Sequence, residues 1–133
     1  KALADRLAEA FAERLHQRVR TEFWGYAADE SWTHEDLIAE SYLGIRPAPG
    51  YPACPEHSVK QEMFRVLNPA EVGMGLTESL AMTPAASVSG FYLAHPDATY
   101  FNVGKIGGDQ LTDWARRSAL DESAVRRSLA ALL

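Results

Sequence analysis

Apolar residues recur every four positions over the first part of the chain, at Leu3, Leu7, Phe11, Leu15, Val19 and Phe23, with Glu, Arg and Gln between them. That pattern predicts one amphipathic helix whose apolar stripe is buried. A step of four drifts around a 3.6-residue helix, so Ala10 and Ala12 broaden the stripe. Gly25 ends the helix. Thr33 followed three residues later by Asp36 forms a capping box for a short helix over His34 to Tyr42. A further helix begins at Pro55, turns Val59, Met63, Val66 and Leu67 inward, and stops at Asn68-Pro69.

The pattern changes between residues 74 and 105. Val88, Phe91, Tyr92, Tyr100, Phe101 and Val103 flank His95-Pro96-Asp97-Ala98, which predicts a strand-turn-strand hairpin. A hairpin alone is a marginal sheet, so further strands are expected, either outside residues 1–133 or contributed by an edge such as residues 74 to 80. Gly107-Gly108 breaks the run, and two short helices follow, around 109 to 119 and 122 to 132, the second capped by Asp121. Helices at both ends and strands in the middle give an α+β class with helices flanking a small antiparallel sheet.

Between these elements lies Gly44-Ile45-Arg46-Pro47-Ala48-Pro49-Gly50-Tyr51-Pro52-Ala53-Cys54-Pro55-Glu56-His57, which holds four of the seven prolines. Each proline fixes its own φ and drives its predecessor toward extended geometry, so the stretch is expected to be a rigid strap, neither helix nor ladder strand. A rigid strap loses little entropy when its side chains bind something. Arg46 offers a planar, permanently charged fork; it suits a carboxylate, and equally a surface ion pair.

Composition narrows the classes. The 133 residues suit one domain, and a net charge of −5 without a basic run argues against nucleic acid as a partner. No apolar stretch approaches a membrane span, and a single cysteine cannot form an internal disulfide. These features fit a reducing, cytoplasmic setting. The opening on Lys1, inside a periodic pattern and without Met, leads us to expect residues 1–133 to be part of a longer chain.

Three blocks in one order carry a resemblance. They are the strap itself, then Leu76-Thr77-Glu78-Ser79-Leu80-Ala81-Met82-Thr83-Pro84 with Ala86-Ser87-Val88-Ser89-Gly90-Phe91-Tyr92, then His95-Pro96-Asp97-Ala98-Thr99-Tyr100-Phe101. Together with Leu15 to Arg20 and Trp24-Gly25-Tyr26, they resemble the C-terminal activation domain of cobalamin-dependent methionine synthase. The resemblance implies that residues 1–133 are the C-terminal part of that S-adenosylmethionine-binding domain. It implies a non-catalytic module of a homocysteine methyltransferase in methionine biosynthesis, presenting S-adenosylmethionine for reductive remethylation of cob(II)alamin. Cobalamin would be bound by another module of the parent enzyme, which becomes a partner, with flavodoxin or a reductase as electron donor.

The same resemblance implies ligand contacts from Arg46, Ala48, Gly50 and Tyr51 in the strap, with Gly50 letting the ligand approach the backbone. It adds Glu9 for the ligand's amino group, and the aromatic pair Tyr100 and Phe101; Phe101 stands where relatives often carry a second tyrosine. Glu78 and Ser89 would support the strap through hydrogen bonds. Two other classes remain open. One is an interaction module that keeps the fold and docks flavodoxin or a reductase. The other is a small hydrolase or transferase built on Cys54 and His57, though no third group is indicated to orient them. The four histidines show no metal-ligand spacing.

Overall fold

The computed structural model describes residues 2–133. Helix α1 (Ala2–Arg18) continues into a wider π-type turn, Val19–Phe23, and Gly25 ends the run at φ +70°. Helix α2 (His34–Ile38) opens with the expected capping box: Asp36 N donates to Thr33 Oγ1 at 3.2 Å, and Thr33 N to Asp36 Oδ2 at 3.0 Å. It stops short of Tyr42, which is instead buried beneath the strap. Replacing Thr33 with alanine removes this cap and is expected to cost about 1 kcal/mol, read as a shift in urea midpoint.

Helix α3 spans Val59–Leu67 and halts at Asn68, which takes left-handed φ and ψ ahead of Pro69. Its start lies beyond Pro55, because Glu56 turns back to accept from Ser58 N at 2.8 Å and Ser58 Oγ at 2.6 Å. The expected apolar face is only partly used. Met63 is buried, Val66 and Leu67 are exposed, and the residue that turns inward beside Met63 is Lys60.

Strands β1 (Gly75–Leu76) and β2 (Met82–Thr83) pair antiparallel, with Gly75 opposite Thr83 and Leu76 opposite Met82. The edge expected over 74 to 80 therefore exists, but the hairpin centred on His95-Pro96 does not. Its turn forms, with Ala98 N donating to His95 O at 3.0 Å, yet the flanking segments pair with the strap and not with each other. Ile45 and Leu93 form an antiparallel bridge, Phe91 N donates to Pro47 O at 2.9 Å, and Val103 N to Pro52 O at 3.1 Å. Ile45 both donates to and accepts from Leu93, whereas proline nitrogens cannot donate, so Pro47 and Pro52 hold these segments through their oxygens alone. Its Ile45 end is thus a fragment of sheet, which corrects the expectation of a wholly irregular strap. Gly90 permits the approach: a Cβ there would lie 2.8 Å from Pro47 O.

Helices α4 (Gly108–Ser118) and α5 (Glu122–Ser128) form a C-terminal pair, and Asp121 caps α5 through Ser123 N at 2.8 Å. Leu111, Ala115, Val125 and Leu129 close a small apolar core between them, flanked by Ile106 and Leu132. No helix among the described residues is long and apolar enough to cross a membrane. The class is α+β, with helices around a small two-stranded antiparallel sheet.

The stripe on α1 is the largest departure. Leu3, Leu7 and Phe11 are 74%, 61% and 66% exposed, while His16 and Arg20 are fully buried. Each four-residue step rotates the stripe by about 40°, so its early members have swung off the face that meets the body. The face that does meet it carries Glu13, His16 and Arg20, spaced i, i+3 and i+7.

Candidate ligand groove and its polar foundation

A polar cluster lies under the strap. Arg20 makes a two-pronged ion pair with Glu30, Nε to Oε2 at 2.7 Å and Nη2 to Oε1 at 2.8 Å, and its guanidinium carbon sits 3.9 Å from the centre of the Tyr42 ring. His16 stacks on Tyr92 at 4.8 Å and meets Tyr42 edge-on at 5.1 Å. Burial holds the His16 imidazole neutral, and the neighbouring Arg20 and Arg46 cations depress its pKa further, to about 3. Burial likewise pushes the Tyr42 hydroxyl up to about 12.

The neutral His16 has a consequence for acid stability. An unfolded histidine binds a proton near its ordinary pKa of 6.5 while folded His16 stays unprotonated until about 3, so stability falls as pH drops through that interval. Between pH 7 and pH 5 the loss from this residue is roughly 2 kcal/mol. Denaturant melts at the two pH values should show it, and His16→Gln should flatten the difference; an unchanged slope in the variant would exonerate His16.

Arg46 reaches down into the same cluster. Its Nη2 donates to Glu13 Oε2 at 2.5 Å, and its Nη1 contacts His16 Nδ1 at 3.3 Å and donates to the Tyr42 hydroxyl. Burial works against the Arg46 charge, but Tyr42 and Glu13 outweigh it and hold the pKa above the ordinary arginine value. The fork is therefore largely committed to internal partners, while its Nε–H makes no hydrogen bond among the described residues. The Arg46 backbone N–H donates to the Tyr100 hydroxyl at 3.0 Å, which makes Tyr100 a pin for the strap.

Above this foundation, a groove of about 370 Å³ runs between α1 and the strap. Glu9, Ala48 and Tyr51 line it, together with Asp5, Lys60 and Ser87. Three of the seven residues proposed from the sequence thus meet on one surface. Gly50 stands behind them, at φ +100°, and the space a Cβ would fill is occupied by the His57 ring at 2.3 Å. Its missing side chain admits an imidazole. Arg46, Tyr100 and Phe101 lie outside the groove lining; Phe101 is 60% exposed, and Glu9 pairs with Arg6 at 2.7 Å.

Neither Glu78 nor Ser89 supports the strap: Glu78 is exposed, and Ser89 Oγ donates to Met82 Sδ at 3.1 Å. A larger cleft of about 630 Å³, on the far side between the strap and α4, contains none of the seven residues. Cys54 borders it, with burial and the nearby Glu56 raising the thiol's pKa, the reverse of an activated nucleophile. His57 Nδ1 is 2.9 Å from Lys60 Nζ and so is engaged away from Cys54. No group of three metal-ligating side chains occurs among the described residues.

Sequence reasoning missed Glu13, His16, Arg20, Tyr42 and Lys60. Glu13, His16 and Arg20 do share one helical face by spacing, a signal overshadowed by the apolar stripe. A stiff strap and α1 frame an open groove, which makes the described residues a groove-bearing α+β module.

The comparisons place that module. The family described as "Vitamin B12 dependent methionine synthase, activation domain" matches residues 1–119, and the chain belongs to that family. A crystal structure of the MetH reactivation domain bound to AdoHcy superposes with a TM-score of 0.96 at 57% identity. The alignment covers all of this chain and 41% of that one, so this chain spans less than half the length of the relative.

Proposed function

We propose that this chain is the S-adenosylmethionine-binding, C-terminal part of an activation domain. It presents the methyl donor to cob(II)alamin held in a neighbouring module of the parent methionine synthase, with flavodoxin or a reductase supplying the electron. The observation that carries the reading is the groove between α1 and the strap, in a chain 57% identical to a domain whose crystal structure contains AdoHcy.

The residues fit such a ligand. S-adenosylmethionine carries a sulfonium, an ammonium and a carboxylate, and the groove sets Asp5 and Glu9 on the α1 side, suited to the cationic groups. Glu9 would hold the ammonium, Ala48 and Gly50 the backbone contacts, and Tyr51 would offer its ring to the sulfonium or adenine. Arg46 would meet the carboxylate through its unpartnered Nε edge. Tyr100 would act by fixing the strap, and Phe101 by apolar contact. When bound, the ligand supplies a methyl group on sulfur; the chain supplies placement and electrostatics, and none of its side chains need act as acid, base or nucleophile. An open groove leaves that methyl accessible to a neighbouring module.

Calorimetric titration with AdoHcy and S-adenosylmethionine tests the reading directly. Saturable binding of both, abolished by a bulky substitution at Ala48 such as Ala48→Trp, is expected. Absence of binding in the protein with its parent domain intact would overturn it.

A further inference from the structure

Lys60 is 6% exposed, yet neither of its polar partners is charged like a carboxylate. Its Nζ contacts His57 Nδ1 at 2.9 Å and donates to Leu80 O at 2.9 Å. No acidic side chain lies within ion-pair distance among the described residues. A buried ammonium satisfied only by neutral acceptors is costly, so its place here calls for a reason beyond packing.

The reason lies in what the three groups connect. His57 occupies the space a side chain on Gly50 would take, so its ring buttresses the strap apex from behind. At that apex Gly50 N donates to Cys54 O at 2.8 Å and Cys54 N to Tyr51 O at 2.9 Å. Leu80 lies in the turn between β1 and β2, whose neighbour Met82 lines the groove. Lys60 therefore ties α3, the strap apex and the β1–β2 turn together at the groove wall.

We propose that Lys60 and His57 form a latch, in which Lys60 is a positioning residue that holds the Gly50-Tyr51 apex in its ligand-binding shape. The proposal rests on the reading of the groove as the metabolite site. Its chemistry sets a condition: His57 Nδ1 accepts only while the ring is neutral. A donor at that nitrogen would leave Lys60 Nζ facing a second donor 2.9 Å away, so the latch requires an acceptor at position 57.

The test uses AdoHcy affinity in wild type, in His57→Gln, whose amide oxygen can still accept from Lys60, and in His57→Leu, which offers no acceptor. His57→Leu should bind about ten-fold more weakly than wild type, and His57→Gln should retain most of the affinity. Lys60→Met should likewise bind about ten-fold more weakly. Equal affinity in wild type, His57→Leu and Lys60→Met would overturn the latch. Hydrogen exchange at the Gly50 and Cys54 amides gives a ligand-free readout, so the latch is tested even if the metabolite binds elsewhere. Protection of these amides should drop in Lys60→Met and in His57→Leu and persist in His57→Gln; unaltered protection in Lys60→Met and His57→Leu would remove the latch independently of what the groove binds.

Discussion

Glu30→Ala should cost this protein about 3–5 kcal/mol, the largest loss expected from any single polar substitution in it. Arg20 is fully buried, and the Glu30 side chain is only 4% exposed, so the guanidinium left behind has no route to water. Among the described residues its Nη1 already lacks a hydrogen-bond partner, and its other neighbours, Tyr42, His16 and Tyr26, offer no balancing charge. Removing the carboxylate therefore strands a whole charge in a low-dielectric site, a far greater penalty than losing one hydrogen bond. The contrast that proves the cause is the double replacement Arg20→Met with Glu30→Leu, which removes both charges and should recover much of the loss. Chemical denaturation of the two proteins provides the check. A Glu30→Ala variant within about 1 kcal/mol of wild type would mean that water or a rearranged neighbour reaches Arg20.

Arg46→Ala should weaken AdoHcy binding by about 1.5–3 kcal/mol, or roughly 10- to 150-fold in Kd. The fork is held by Glu13, Tyr42 and His16, so it needs little reordering to meet a carboxylate at its remaining edge. Arg46→Lys should not rescue, because an ammonium cannot serve Glu13, Tyr42 and the ligand in one plane. Stability will fall as well: Glu13 Oε1 already lacks a hydrogen-bond partner, and the substitution takes away the guanidinium bound to Oε2. Glu13→Gln separates the two effects, since it loosens the arginine without deleting it. Calorimetry showing unchanged affinity for Arg46→Ala, in a protein still folded, would take this residue out of the ligand site.

What the sequence disclosed was set by how local the cause is. The Thr33–Asp36 capping box, the Asp121 cap and the stop at Asn68-Pro69 were all readable, because each depends on residues within four positions. The hairpin was misread because β propensity says that Phe91 and Val103 want an extended partner, and not which one; the strap's carbonyls, far off in sequence, won the competition. The α1 stripe failed for a related reason. Periodicity reveals that a helix has two faces, and here the body selected the face with His16 and Arg20, whose burial depends on Glu30, Tyr42 and Tyr92. Within the candidate groove, motif order brought out Glu9, Ala48 and Tyr51. Lys60 escaped notice because a lysine on an amphipathic helix ordinarily points to solvent.

The pairing of Ile45 with Leu93 and of Pro47 with Phe91 joins positions more than forty residues apart in the chain. Closing so long a loop is entropically slow and yields nothing until it is complete. The groove should accordingly be among the last features to mature during folding, and it cannot loosen without undoing contacts across the molecule. A nascent or partly unfolded copy would then have no half-formed recognition surface with which to sequester the metabolite.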